Sequence, residues 1–150
     1  MTTKAAVDVF LSQKTLAVAG VSKKKNKFGN IVYRELKGKG YHVFPVNPKL
    51  DEVEGDKCYH NLKELPEIVG GVVIVVPPAE SVKVVRDAIA AGIRRVWLQQ
   101  GAESKEAIAL CTDNSIDVIY GHCILMFASP TAFVHRVHRG IWRLLGRLPR

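Results

Sequence analysis

Six consecutive residues, Gly71-Val72-Val73-Ile74-Val75-Val76, constrain the fold of this chain more than any other stretch. The run is β-branched without a polar residue at alternate positions, so neither face of the strand it forms meets water. A strand of that kind belongs in the middle of a parallel sheet covered by helices on both sides. Pro77-Pro78 follows at once and can neither extend the ladder nor donate to it.

The remaining periodicity fits around that strand. Ala5–Leu11 has a helical apolar face, and Thr15–Val21 predicts the first strand. In the next helix Phe28, Ile31, Val32 and Leu36 recur at helical spacing on one face, and Gly38 and Gly40 end it. Tyr41–Val46 predicts a second strand stopped by Asn47-Pro48. Residues 49 to 65 read as polar and irregular, with a turn at Glu54-Gly55 and a helical turn near Leu62. After the central strand come a helix over Ala79–Ala91 with Val82, Val85 and Ile89 inward, and a strand over Arg95–Leu98. A helix over Glu103–Asn114 and a strand over Asp117–Tyr120 follow. This alternation predicts one α/β domain over residues 1–150, a Rossmann-like, doubly wound parallel sheet of about five strands flanked by helices. Thr131–Leu148 predicts a closing amphipathic helix, packed by Phe133, Val134, Val137, Ile141 and three leucines on the sheet or on a partner.

In such a sheet ligands bind at the carboxyl ends of the strands. The first of those loops runs Gly20-Val21-Ser22-Lys23-Lys24-Lys25-Asn26-Lys27-Phe28-Gly29, the strand–glycine–helix crossing where backbone N–H groups and a helix dipole meet phosphate. A solvated lysine-rich turn would read similarly. At the end of strand two a dehydrogenase that reads NAD wants an acidic residue for the ribose 2′-hydroxyl, and this chain has Asn47-Pro48-Lys49. NAD is therefore disfavoured, and NADP and coenzyme A both stay open.

Charge points the same way. The formal net charge is +8, and residues 22 to 49 carry eight Lys or Arg against the single acid Glu35. Beyond Asp117 there is no acidic residue, while Arg136, Arg139, Arg143, Arg147 and Arg150 follow. An anionic partner is implied. Cys58, Cys111 and Cys123 form no CxxC pair, so neither a disulfide framework nor a metal site is expected. Met1-Thr2-Thr3-Lys4 opens no secretory signal and no apolar run is long enough to span a bilayer, which gives a cytoplasmic reading.

Taken together, Ala17-Val18-Ala19-Gly20-Val21-Ser22, Gly40 through Pro48, Gly55-Asp56-Lys57-Cys58-Tyr59, Val75-Val76-Pro77-Pro78, Val96 through Gly101, and Cys123 resemble the single-domain CoA-binding proteins. That family is similar to the CoA-binding domain of the succinyl-CoA synthetase α subunit. The likeness covers roughly residues 12 to 128. It implies that CoA or an acyl-CoA lies across the strand ends. Gly20, Val21, Ser22, Asn26, Lys27 and Phe28 would then sit at its phosphates, and Asn47, Pro48 and Lys49 near the adenosine ribose and 3′-phosphate. Val76, Pro77 and Pro78 would form a wall, and Gln99, Gln100 and Gly101 polar contacts. NADP ranks below CoA in this reading. The lysine-rich first loop departs from the relatives, and neither the further domain nor the partner subunit that the synthetase needs is expected here, so ligase activity by this chain alone is not expected.

No complete catalytic constellation is visible, so a binding or regulatory module is favoured over an enzyme, with a second copy or an acyl-CoA enzyme as a protein partner. The alternative is a cysteine-dependent enzyme acting on CoA thioesters or CoA disulfides through Cys123, whose neighbour His122 could lower a thiol pKa. A binder of nucleic acid or another anionic surface through the C-terminal helix ranks lower, since an amphipathic period is the usual mark of a packed helix. Cys58 and Cys111 read as structural, His42 as packed within its strand, and His60 as a loop residue without a partner.

Overall fold

The computed structural model describes residues 3–128. In chain order the elements are α1 (Lys4–Leu11), β1 (Thr15–Ala19), α2 (Phe28–Gly38), β2 (His42–Val46), β3 (Glu52–Val53), β4 (Asp56–Lys57), β5 (Gly71–Ile74), α3 (Pro78–Ala90), β6 (Arg95–Gln99), α4 (Lys105–Asp113) and β7 (Asp117–His122). Short 3-10 turns stand at Leu62–Glu64 and Ile124–Met126.

Five strands form one parallel sheet in the order β2-β1-β5-β6-β7. The order reverses between β1 and β5, so the switch point, the place where open parallel sheets commonly hold ligands, lies beyond the carboxyl ends of those two strands. β5 is the central strand and each of its residues is buried. Strand residues alternate between two cores, as the pleat requires. Leu16, Val18, Val73, Trp97 and Ile119 pack under α1 and α2, and Phe10 of α1 meets the Trp97 ring edge-on at 5.4 Å. Ala17, Ala19, Val72, Ile74, Val96, Leu98 and Val118 pack under α3 and α4. A sheet covered on both faces is what the central apolar run predicts.

The strand ends differ from the sequence expectation in ways that shape the crevice. β1 stops at Ala19 because Gly20 takes φ +128° and turns the chain. Val75 still donates its N–H to the Ala19 carbonyl at 2.8 Å, but regular pairing of β5 ends one residue earlier. The stretch expected to be irregular contains the hairpin β3–β4, and Glu54-Gly55 is its two-residue turn. Phe28 does not join the inward face of α2. It opens the helix beyond the sheet and is 41% exposed, while Tyr33 takes a buried place. His42 is exposed rather than packed within the sheet, with its ring over Phe44. The helix expected over 131–148 lies outside the described residues.

Candidate functional site

The loop after β1 is built by two glycines that bring backbone against backbone. A Cβ on Gly20 would sit 2.0 Å from the Val75 carbonyl oxygen, and one on Gly29 would sit 2.2 Å from the Gly20 carbonyl oxygen. No side chain fits at either place. The first turn of α2 therefore lies directly on the end of β1, beside the segment that leaves β5. No side chain caps α2, and the residue before it is Lys27. Lys23, Lys24, Lys25, Asn26 and Lys27 are all exposed around this open helix end. An uncapped N-terminus with a positive partial charge, ringed by ammonium groups, is suited to a phosphate.

The loops after β1 and β2 are joined by amides. Asn47 donates through Nδ2 to the Val21 carbonyl at 2.7 Å and accepts at Oδ1 from the Lys49 N–H at 2.8 Å. The second contact is an Asx turn, in which a side chain stands in for backbone across two residues. Asn47 thus fixes the loops on either side of it, and β2 is followed by Asn47-Pro48-Lys49, with no acidic residue among them. Asn30, fully buried in α2, accepts from the Ser22 N–H at 2.7 Å and donates to the Ser22 carbonyl at 2.8 Å. Its Nδ2 also donates to Glu54 Oε2 at 3.1 Å. Arg34 donates through Nη1 to Glu54 Oε1 and to the Lys25 carbonyl, each at 2.9 Å. Asp56, at the other side of the hairpin turn, accepts from the Tyr33 hydroxyl and from Lys37. Those two donors hold its carboxyl below the usual range, Lys37 most, and burial with Asp56 pushes the Tyr33 phenol up.

Farther along the same edge the chain satisfies itself. Ser104 caps α4 by accepting the Ala107 N–H at 3.1 Å, and the Gly101 N–H donates to Glu103 at 3.0 Å. Gln99 is buried, and its Oε1 accepts the Ile124 N–H at 3.1 Å. Gln100 and Gly101 remain exposed, as do Pro77 and Pro78, with Val76 half-buried beside them. Ser81 of α3 donates to the Ala102 carbonyl at 2.6 Å and ties these two loops together. Pro78 occupies the first position of α3 and brings no N–H, and Glu80 follows in the first turn. That helix end is less suited to an anion than α2.

Cys123 stands at this edge but is buried. Burial pushes its thiol up, against the pull of contacts from Leu125, Met126 and Gln99. His122 is held below its ordinary value by burial, the opposite of a charged imidazole that would activate a thiol. Burial likewise raises Cys58, and Cys111 to about 11. His60 does have partners: Asp51 at 2.7 Å and the Glu64 carboxylate, which also accepts the His60 backbone N–H. A cavity of about 370 Å³ lined by Leu62, Leu65, Ile68, Ala91 and Ile93 opens where α3 ends and β6 begins, at the opposite end of the sheet from these loops.

The residues of the first crevice fall inside a family match. Residues 14–129 match the family described as a CoA binding domain. The chain belongs to that family. This CoA-binding domain is 33% identical over 81 residues to an ADP-forming acetate–CoA ligase of Methanocaldococcus jannaschii, covering 54% of the present chain and only 12% of the ligase. It is 28% identical over 117 residues to an uncharacterized protein, YneT, of Bacillus subtilis, covering 78% of this chain and 87% of that one. Among solved structures, a conserved hypothetical protein from Pyrococcus furiosus superposes with a TM-score of 0.71 at 41% identity, over 74% of this chain and 96% of its own. The fold is thus shared with chains little longer than the domain, as well as with ligases many times its length.

Sequence reasoning missed Asn30, Arg34 and Glu54 of the CoA-binding domain. The available signal was an amide at position 30 between the inward-facing Gly29 and Val32 of an amphipathic helix. A buried amide there has to find polar partners. No helix among the described residues is long and apolar enough to cross a membrane, and none of their acidic, His and Cys side chains cluster to hold a metal.

Proposed function

We propose that the chain binds coenzyme A or an acyl-CoA at the carboxyl edge of the sheet and acts as a binding or regulatory module. The observation that carries the reading is the crossing from β1 to α2, where Gly20 and Gly29 admit no side chain and an uncapped helix end faces four lysines. The pyrophosphate lies over Gly20, Val21 and Ser22, with Asn26, Lys27 and Phe28 beside it. Pro48 and Lys49 border the adenosine side, and Lys49 faces the 3′-phosphate. Val76, Pro77 and Pro78 wall the crevice, and Gln100 and Gly101 offer polar groups farther along. Asn47 and Gln99 act through the loops they hold. The absence of a carboxylate at the end of β2 among the described residues supports CoA over NAD. The environment of Cys123 gives thiolate chemistry no support.

Calorimetric titration of the full chain with CoA, acetyl-CoA, NADP and NAD tests this reading. Saturable binding of CoA, weaker binding of NADP and none of NAD are expected. Tighter binding of NAD, or no saturable binding of CoA, overturns it.

A further inference from the structure

The hairpin β3–β4 stands outside the main sheet, yet its tip reaches into the phosphate loop. Glu54 and Gly55 both take positive φ, +51° and +83°, between Val53 and Asp56. Turns of this kind favour Asn, Asp or Gly, and a glutamate held there is strained. The strain accompanies a specific arrangement. The Glu54 side chain is only 10% exposed, and its two oxygens take different donors.

Each donor leads to a different part of the loop. Through Asn30, Glu54 connects to both the N–H and the carbonyl of Ser22. Through Arg34 it connects to the carbonyl of Lys25. One carboxylate thus ties down both ends of Ser22–Lys25, a segment whose adjacent lysines repel one another. Asp56, two residues away, anchors the same hairpin to α2 through Tyr33 and Lys37, with no hydrogen bond to the loop among the described residues.

We infer that Glu54 is a positioning residue that sets the conformation of the Ser22–Lys25 loop for its anionic ligand. The inference rests on the CoA-binding reading given above. Glu54 touches no phosphate; it acts through Asn30 and Arg34.

The test compares Glu54→Ala, Glu54→Gln and Asp56→Asn with the unaltered full chain. Each is followed by CoA titration, by the rate of tryptic cleavage at Lys23, Lys24, Lys25 and Lys27 without ligand, and by urea unfolding. Glu54→Ala should speed loop cleavage and weaken CoA binding, each by about tenfold, the scale of losing a buried charged hydrogen-bond partner. Glu54→Gln keeps the shape and one acceptor, and should fall between; it carries the test if Glu54→Ala does not fold. Asp56→Asn should change cleavage and affinity by less than about twofold even where it lowers stability as much. Unchanged cleavage and affinity in both Glu54 variants overturns the inference. So does an Asp56→Asn effect equal to theirs, since any loosening of the hairpin would then suffice. If the unaltered chain binds no CoA, the binding reading fails, and the cleavage rates still decide whether Glu54 sets the loop.

Discussion

Of the helices that begin at the carboxyl edge of this sheet, α2 and α4 stand in opposite states. The end of α4 is closed: Ser104 accepts from Ala107, and Glu103 already places a carboxylate on the Gly101 N–H. The end of α2 is open: no side chain caps it, Gly29 keeps its first turn bare, and lysines surround it. Both ends carry the same partial positive charge of a helix N-terminus. The chain neutralises one internally and leaves the other uncapped, where the proposed reading puts the phosphate of the ligand. An open strand–loop–helix crossing is thus a matter of what is withheld, a cap and a side chain, as much as of what is supplied.

The sharpest way to break that contrast is to put a methyl group where α2 has none. Gly29→Ala would press a Cβ against the Gly20 carbonyl, which is backbone and cannot swing aside. A loss of about 2–3 kcal/mol in urea unfolding is expected, at the upper end of overpacking costs. CoA binding should fall below detection in titration. Gly38→Ala in the same helix meets nothing within 4 Å and should instead stabilise by about 0.5–1 kcal/mol, because alanine is the better helix former. The two substitutions add the same methyl group at opposite ends of one helix, against backbone at Gly29 and into open space at Gly38. Equal effects would show that the close approach at Gly29 does not matter.

Charge comes next. Replacing Lys23, Lys24, Lys25 and Lys27 together by glutamine should weaken CoA binding by about 10–1000-fold, from roughly 0.3–1 kcal/mol per exposed charge near an anion. It should also flatten the dependence of affinity on salt. Stability should change by no more than about 0.5 kcal/mol, since these side chains are exposed. Lys105, at the start of α4, serves as the matched control, and Lys105→Gln should alter affinity by less than about twofold. A comparable loss from Lys105 would place anionic groups of the ligand at both helix ends.

How much of this could be read from the chain alone follows from the range of the interactions. The central strand and the glycine crossing were legible because both are written in consecutive residues, β-branched run and strand–glycine–helix. The two layers of core followed from the same pattern. Phe28 misled because helical spacing gives a face but not where the sheet beneath it ends. The tie from Glu54 to Asn30 joins residues 24 apart, and that from Arg34 to Glu54 joins residues 20 apart. Neither has a local spacing rule. The partners of His60 were within reach, since Glu64 lies one turn away, but Asp51 is brought in by the hairpin. Asn47 was read as what a ribose would meet, and the structure uses its amide first for an Asx turn and for the Val21 carbonyl.

The smallest effect tests the closed end itself. Ser104→Ala removes the acceptor for the Ala107 N–H and should cost about 1 kcal/mol of stability in urea unfolding, the usual worth of such a cap. Affinity for CoA should stay within about twofold, because the proposed phosphate position lies at α2, across the sheet from this turn. The loop before α4 is tied to its own neighbours and not to the phosphate loop: Ser81 of α3 holds the Ala102 carbonyl, and Gln99 holds Ile124. A frayed α4 could therefore shift Gln100 and Gly101 without touching the phosphate loop. If Ser104→Ala lowers affinity for CoA while leaving its salt dependence intact, those residues meet an uncharged part of the ligand. If affinity and salt dependence fall together, as for the four lysines, the closed end binds phosphate after all and the contrast between the two helices fails.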